Sequence, residues 1–413
     1  MNTTRRDFLK AAAALGLTST QLLKTTKTFG AEKPQGQNKL KSGHKVMPLP
    51  AGLKIKSLET FTHGHVSIVR ITTDDGSEGF GQISTYDADI SATVFHRKIA
   101  PHALGRDPAD IDSLVDTCIE ANYKYPWSYV CRALSGLDTA IWDLLAKKQN
   151  KTVCELLGAK PKPIVAYGSS MRRDITPKDE ADRLLRLRDS HGYRAFKIRV
   201  GKVNGHDQDE WPGRTEELVP AVRKALGDDI TILVDGNSCY TPPKAIEVGR
   251  LLEDNNIGHF EEPCPYWELE WTAQVTAALS VPVAGGEQDN DLAQWRRMIK
   301  MPAVDIVQPD ILYLGGLTRS LRVAAMAHEA GMPCVPHSAN LAMVTLFTLH
   351  MLAIIPNAGP HIEFAIEPWP WQFGIFSPEL KVKDGLVNFP SGPGWGVTVD
   401  ESWLQKATRQ ISQ

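Results

Sequence analysis

The sequence predicts an α/β protein: a parallel β/α barrel with a smaller α+β unit ahead of it. Three observations point that way. After Pro163, short apolar strands alternate with helix-length segments, the rhythm of parallel strands joined by helical crossovers. About eight such units fit into roughly 200 residues, more than a doubly wound open sheet usually holds. Each predicted strand also ends on polar or charged residues, and the C-terminal strand ends are where a barrel gathers its chemistry.

The 413 residues allow two or three domains and a large core. With 42% hydrophobic and 23% charged residues, the composition is that of an ordinary globular protein. A formal net charge of −2 leaves no basic footprint for nucleic acid. The six cysteines form no C-x-x-C pair and are too sparse for a disulfide framework, so they read as packing residues.

In chain order, residues 1–31 read as a twin-arginine signal peptide: Arg5-Arg6-Asp7-Phe8-Leu9-Lys10, then an apolar run from Ala11 to Leu17. Thr18 to Gln21 end that run well short of the roughly 20 apolar residues a membrane span needs, so no span is expected. The protein is expected to be exported folded, to the periplasm. The polar residues 32–45 read as a linker. Residues 46–162 form the α+β unit: β-rich Val66–Thr73, a hairpin signal at Asp74-Asp75-Gly76, a returning strand Gly79–Ile83, and a helix over Arg132–Lys147 with Leu134, Leu137, Ile141 and Leu144 on one stripe. Residues 163–366 are the barrel, with strands expected at Ile164–Ser170, Ala195–Val200, Ile230–Asp235, Ile257–Glu261, Val281–Gly285, Val304–Val307, Pro333–Pro336 and Ile362–Ile366. Residues 367–413 form a C-terminal segment.

The strand ends carry Lys197 and Arg199, Asp235 and Asn237, Glu261-Glu262, Glu287, Asp310, His337 and Glu363. From Asp235 through Glu261, Glu287 and Asp310 to His337 the steps are 26, 26, 23 and 27 residues, one β/α unit each. Any one of these could be a helix cap or a loop acid. Three carboxylates on successive ends, with no cluster of arginines to balance them, would repel one another unless a hard cation lay between them. Oxygen-only ligands favour Mg²⁺.

These segments resemble the enolase superfamily, mandelate racemase subgroup. The resemblance is carried by Asp235-Gly-Asn, Glu261-Glu262-Pro263 and Gly286-Glu287, with Lys197-Ile-Arg199 before them and Asp310 and His337 after. Gly136-Leu-Asp-Thr-Ala-Ile-Trp-Asp143, Leu156-Leu-Gly158 and Gly392-Pro-Gly-Trp-Gly396 are similar too. The resemblance implies a modified TIM-type β/α barrel with an N-terminal α+β capping domain, completed by the C-terminal segment returning to the cap. It makes Asp235, Glu261 and Glu287 the ligands of Mg²⁺, and Asp310 and His337 a catalytic dyad. It places Lys197 near the substrate carboxylate and has Glu363, in preference to Glu367, donate a hydrogen bond to the enolate oxygen.

Such sites remove a proton from the carbon next to a carboxylate, with the metal stabilising the developing charge. Where the family pattern often has a second lysine, this chain has Arg199, which is effectively always protonated. A racemase needs acid–base groups on both faces of the planar intermediate; a dehydratase can use one. The sequence therefore favours an Mg²⁺-dependent acid-sugar dehydratase, in which His337 takes the α-proton and then protonates the departing β-hydroxyl, giving a 2-keto-3-deoxy acid. The alternatives are a racemase or epimerase of a 2-hydroxy acid or acid sugar and, from another class, an exported acid-sugar binding protein without turnover. The expected partner is a small hydroxy-carboxylate, and a homo-oligomer is expected. The insertion Gly201–Leu218 is a candidate cover for the mouth, and the loops near Phe61–His65 and Ser84–Asp87 are candidates for reading substrate length.

Overall fold

The computed structural model describes residues 39–339 and 342–413. The expected signal peptide lies outside the described residues.

The cap begins with three antiparallel strands, β1 (Ile55–His63), β2 (Val66–Thr73) and β3 (Glu78–Ile83). Thr73 to Ser77 close the β2–β3 turn around Gly76, whose φ of 83° suits glycine. The long helix runs from Tyr129 to Lys148, one turn earlier than the apolar stripe alone indicates, and its apolar side is buried. It lies very close on β3. A Cβ on Gly81 would run into the backbone of Ala140, and one on Gly136 would sit 2.5 Å from Val69 Cγ2. Glycine at both places lets helix and sheet approach.

The barrel strands are β4 (Ile164–Ser169), β5 (Ala195–Arg199), β6 (Thr231–Asp235), β7 (Phe260–Glu261), β8 (Val283–Gly285), β9 (Ile306–Val307) and β10 (His361–Ala365). β4 to β9 are parallel neighbours in chain order, and β10 pairs parallel with β4. Between β9 and β10 the expected strand Pro333–Pro336 is reduced to one residue, Cys334, which bridges Val307 on one side and Ala358 on the other. The physical reason lies in the sequence: Pro333 and Pro336 have no N–H, so a longer ladder cannot form there. Tyr167, Ala195, Leu233 and Val335 form a small apolar cluster of their own, apart from the main core.

The C-terminal segment supplies four two-residue strands, β11 (Phe376–Ser377), β12 (Val382–Lys383), β13 (Leu386–Val387) and β14 (Thr398–Val399), then β15 (Thr408–Ser412). β13 runs antiparallel to β4, and β15 pairs with β1 as the fourth strand of the cap sheet. Trp395 is fully buried; its Nε1 donates to Thr139 O (3.0 Å), and its ring lies 4.4 Å from that of Phe347. A second tie joins cap helix and barrel: Trp142 Nε1 donates to Thr318 Oγ1 (3.0 Å), and Asp138 Oδ1 accepts from Thr318 N (3.3 Å). All six cysteines are buried and unpaired in disulfides, as packing residues should be. Among the described residues no helix is long and apolar enough to cross a membrane.

Candidate active site

Because the barrel strands are parallel, their C-terminal ends share one face. β5 brings Lys197 and Arg199 there, β6 Asp235, β7 Glu261 and β10 Glu363. Glu287, Asp310 and His337 follow just after β8, β9 and the Cys334 bridge. The register aligns Arg199 with Asp235 and Asp235 with Glu261, so neighbouring functional groups stand on neighbouring strands.

Lys197, with no exposed surface, is the hub of the group. Its Nζ lies 2.6 Å from Glu261 Oε1, 2.8 Å from Glu363 Oε1 and 3.6 Å from Asp235 Oδ2. Burial alone would lower its pKa, but Glu261 and Glu363 more than offset that, so it stays charged. Glu261 Oε2 also accepts from Gln308 Nε2 (2.8 Å) and lies 3.4 Å from His259 Nε2. Arg199 Nη1 stands 3.2 Å from Asp235 Oδ2, Nε donates to Ser170 O (3.2 Å), and the guanidinium remains protonated. The acids are thus partly balanced by one lysine and one arginine, which the search for an arginine cluster in the sequence does not count.

His337 Nδ1 lies 2.7 Å from Asp310 Oδ2, while Asp310 Oδ1 accepts from Leu312 N (2.7 Å) and Tyr313 N (3.0 Å). His337 Nε2 faces Glu287 Oε2 at 3.3 Å and Glu363 Oε2 at 4.0 Å. Burial would lower the pKa of His337, yet Glu287, Glu363 and Asp310 together push it up to about 10. Burial pushes the Glu287 carboxyl up to about 7, with Glu261 and Asp235 adding to the effect against the pull of His337.

Glu363 stands among three donors. It accepts from Lys197, from Ser169 Oγ (2.7 Å) and from Ser338 N (2.9 Å), and Lys197 and His337 outweigh burial to hold its carboxyl at about 2. Glu367 faces elsewhere, accepting from Arg183 Nη1 (2.8 Å) and Met171 N (3.1 Å).

The donor set fits a hard divalent cation. Asp235, Glu261 and Glu287 offer only oxygen, sit on successive strand ends, and leave Asp235 Oδ2 buried without a hydrogen-bond partner. Burial first, and then the like charge of Glu261 and Asp235, raises the Glu287 carboxyl. Their oxygens are turned toward Lys197, Arg199 and His337, and among the described residues no three His, Cys, Asp or Glu side chains already stand grouped as they would around a metal ion.

Above this group a cavity of about 330 Å³ is lined by His65, Tyr86, Met171, Arg199, Trp369 and Trp371 among others. The cap turn thus meets the loop after β10, with His65 and Trp371 ring centroids 5.4 Å apart. The insertion after β5 does not line it; the helix there starts at Arg214, and Asp207 is tied down by Thr241 N (2.6 Å). A separate cavity of about 310 Å³ lies beside the helix Pro177–His191 and the C-terminal segment, and includes none of the strand-end groups proposed for chemistry.

Several contributors escape a reading of strand ends alone. Ser169 and Gln308 hold Glu363 and Glu261; Gln308 is two residues before Asp310, an inward spacing that the period of two could have flagged. Tyr313 lies 5.9 Å from His337, and Arg132 of the cap helix stacks on it at 3.8 Å while donating to Ser84 Oγ. That link between dyad and cap has no sequence signal.

Comparison with known proteins agrees with this fold. The enolase C-terminal domain-like family matches residues 179–403, and the mandelate racemase / muconate lactonizing enzyme N-terminal domain family matches residues 44–158. The chain is 30% identical to arabinonate dehydratase of Saccharolobus solfataricus, over 81% of this chain and 88% of that protein. A crystal structure from Roseobacter denitrificans, described as a candidate racemase, is 56% identical with a TM-score of 0.86, covering 87% of this chain and all of that one. A mandelate racemase/muconate lactonizing protein from Paracoccus denitrificans, solved with magnesium, is 30% identical with a TM-score of 0.80, covering 87% and 99%.

Proposed function

The chain belongs to the mandelate racemase/muconate lactonizing enzyme family of the enolase superfamily, and from that premise we propose that it is an acid-sugar dehydratase giving a 2-keto-3-deoxy acid. The observation that carries the reading is the His337–Asp310 contact at one side of the mouth with a permanently charged arginine, Arg199, where a second base would be needed for racemisation.

Asp235, Glu261 and Glu287 would hold Mg²⁺, which supplies charge stabilisation to the substrate carboxylate as its α-carbon loses a proton. A relative solved with magnesium supports the choice of ion. Asp310 accepts the Nδ1 proton of His337, so that Nε2 is the nitrogen that carries the lone pair once the ring is neutral. His337 Nε2 takes the α-proton, and the electron pair of the broken C–H bond enters an enediolic system. The imidazolium then gives its proton to the β-hydroxyl as that C–O bond breaks, and water leaves. The enol that remains ketonises to the 2-keto acid. Lys197 holds Glu261 and Glu363 in register, and Arg199 with Tyr86 and Met171 borders the space in which the rest of the substrate lies.

A racemase is the second reading, favoured by the 56% identical protein from Roseobacter denitrificans. Incubation with mono- and diacid sugars and Mg²⁺ in D₂O separates the two. Formation of a 2-keto product without inversion at C2 supports dehydration; deuterium entering C2 with inversion and no keto product supports racemisation; binding without either supports a carrier. Export by the twin-arginine route belongs to the same proposal and rests on Arg5-Arg6 and the run after them.

A further inference from the structure

The cavity of about 330 Å³ above the strand ends has a wall of rings. His65 comes from the β1–β2 turn of the cap, Tyr86 from the loop after β3, and Trp369 and Trp371 from the loop after β10. Cap and barrel thus bring four aromatic side chains to one space, with the His65 and Trp371 centroids 5.4 Å apart. The cap loop is held there under strain. Tyr86 and Asp87 have φ of 61° and 46°, in the left-handed region that side chains rarely adopt, and Asp87 Oδ2 accepts from Tyr129 Oη (2.9 Å) of the long cap helix. Such backbone persists only where the surroundings enforce it, and here it sets a phenol at the cavity.

Positive charge around this space is already engaged. Arg199 is the one lysine or arginine in the lining, and its Nη1 stands 3.2 Å from Asp235 Oδ2. Beyond the rings, lining side chains such as Met171 and Gln372 carry no charge, and neither do Asn340 and Leu341, which follow Ala339 in the sequence. Lys197 lies below, closed in by Glu261 and Glu363. The arginines of adjoining segments are held elsewhere. Arg132 stacks on Tyr313 at 3.8 Å and donates to Ser84 Oγ, Arg172 pairs with Asp174 (2.9 Å), and Arg173 donates to Gly201 O (2.8 Å) and Asn237 Oδ1 (3.3 Å).

A carboxylate taken out of water against such a wall would lack a charged partner, and burying an unpaired charge is costly. Hydroxyls and C–H groups suit it: indole N–H and phenol O–H bond neutral oxygens, and the ring bodies pack on carbon. We propose that this wall selects a monocarboxylate, an aldonic rather than an aldaric acid. Its one carboxylate lies at the strand ends, and its neutral, hydroxylated far end lies against Trp369, Trp371, His65 and Tyr86. The inference rests on the acid-sugar dehydratase reading and narrows the substrate class.

The test sets pentonic and hexonic acids each beside the diacid of the same length and configuration, D-gluconate with D-glucarate for example, on the whole protein with saturating Mg²⁺. Turnover is read as 2-keto product, and binding separately as the rise in Tm that each acid gives. Among the acids that bind, the monoacid of a pair should bind and react at least about tenfold better than its diacid. A diacid that equals its monoacid partner in either measurement overturns the proposal, and this comparison needs no variant. Trp369 is 46% exposed, so Trp369→Lys leaves the core closed. An ammonium added there or by Trp371→Lys should move the preference toward the diacid by about tenfold, the worth of one charge-assisted hydrogen bond. If neither variant moves it at unchanged Tm, the wall is not the selector and the proposal falls. Monoacids bound in preference but never converted to a 2-keto product support the wall's selectivity while refuting the dehydratase reading, so the two fail separately.

Discussion

Asp310→Asn is the most searching perturbation of the proposed chemistry, because the structure specifies which way the new amide must turn. Asp310 Oδ1 caps the short helix after β9, accepting from Leu312 N and Tyr313 N, while Oδ2 takes the His337 Nδ1 proton at 2.7 Å. In the variant the amide oxygen must stay on the two backbone N–H groups, since an NH₂ there would face two donors. The NH₂ therefore faces His337 Nδ1 and can donate only to a lone pair. The ring proton is driven to Nε2, the nitrogen that has to receive the α-proton. Losing one charge-assisted hydrogen bond by itself costs about 1.5–3 kcal/mol, roughly ten- to a hundredfold in rate. Enforcing the wrong tautomer costs more: about 10⁴ in the analogous change within a Ser-His-Asp triad, or about 5 kcal/mol. We expect kcat to fall about 10³ to 10⁴-fold, with α-hydrogen exchange into D₂O falling in parallel. The assay follows 2-keto product with a carbonyl reagent and exchange by NMR, with Tm as the check on folding. A loss of less than tenfold at unchanged Tm would refute the tautomer argument.

Three further outcomes are expected. His337, raised to about 10, is cationic at neutral pH in the metal-free protein; a raised histidine stabilises the fold fully below its ordinary value of about 6.5, and that contribution is lost as pH climbs through 10. Mg²⁺ drawn to Glu287 competes with the same proton, so Mg²⁺ affinity should rise more than tenfold from pH 6.5 to 8.5, and calorimetry in two buffers of different ionisation heat should register proton release; pH-independent affinity contradicts this. Asp138, fully buried, has its carboxyl pushed up to about 7 by burial against the pull of its Thr318 hydrogen bonds, so its ionisation destabilises the fold increasingly as pH rises from about 4 through 7. Asp138→Asn should therefore gain on wild type by a few kcal/mol across that window and hold the gain at pH 8; a variant less stable than wild type in chemical denaturation at pH 8 would show that the anion is needed there. Replacing Arg5 and Arg6 with lysines should leave the protein in the cytoplasmic fraction, and unchanged periplasmic recovery would count against the export signal.

The barrel was legible because its signals are local. Each strand is a short apolar run closed by a polar residue, and the repeated spacing of those residues gave Asp235, Glu261, Glu287, Asp310 and His337 before any contact was known. The pairing of His337 with Asp310 came from the family resemblance, and the two side chains do meet. What stayed hidden depends on contacts between distant segments. Ser169 reaches Glu363 across 194 residues, and Met343 N finds Gln82 Oε1 across 261; no window of sequence contains either pair. The seventh strand misled for the opposite reason. Val335 and Cys334 look like strand residues, and only the missing N–H groups of the flanking prolines say otherwise. The three donors around Glu363 come from Ser169, Lys197 and Ser338, segments that no single window of sequence brings together.

The cap sheet closes with the last strand of the chain. Glu59 of β1 pairs with Arg409 of β15 from 350 residues away, and His96 Nδ1 meets Ser412 Oγ at 2.8 Å. A ribosome releases β1 to β3 early, yet the edge of β1 stays unpaired until β15, some 350 residues later, has been made. Translation therefore cannot finish the cap before it has finished the barrel. The open edge is a liability until then, and a chain that stops short of β15 has a cap sheet that lacks its outer strand. Any cellular machinery that accepts only completed molecules could test this protein at a single place, the seam between its first strand and its last.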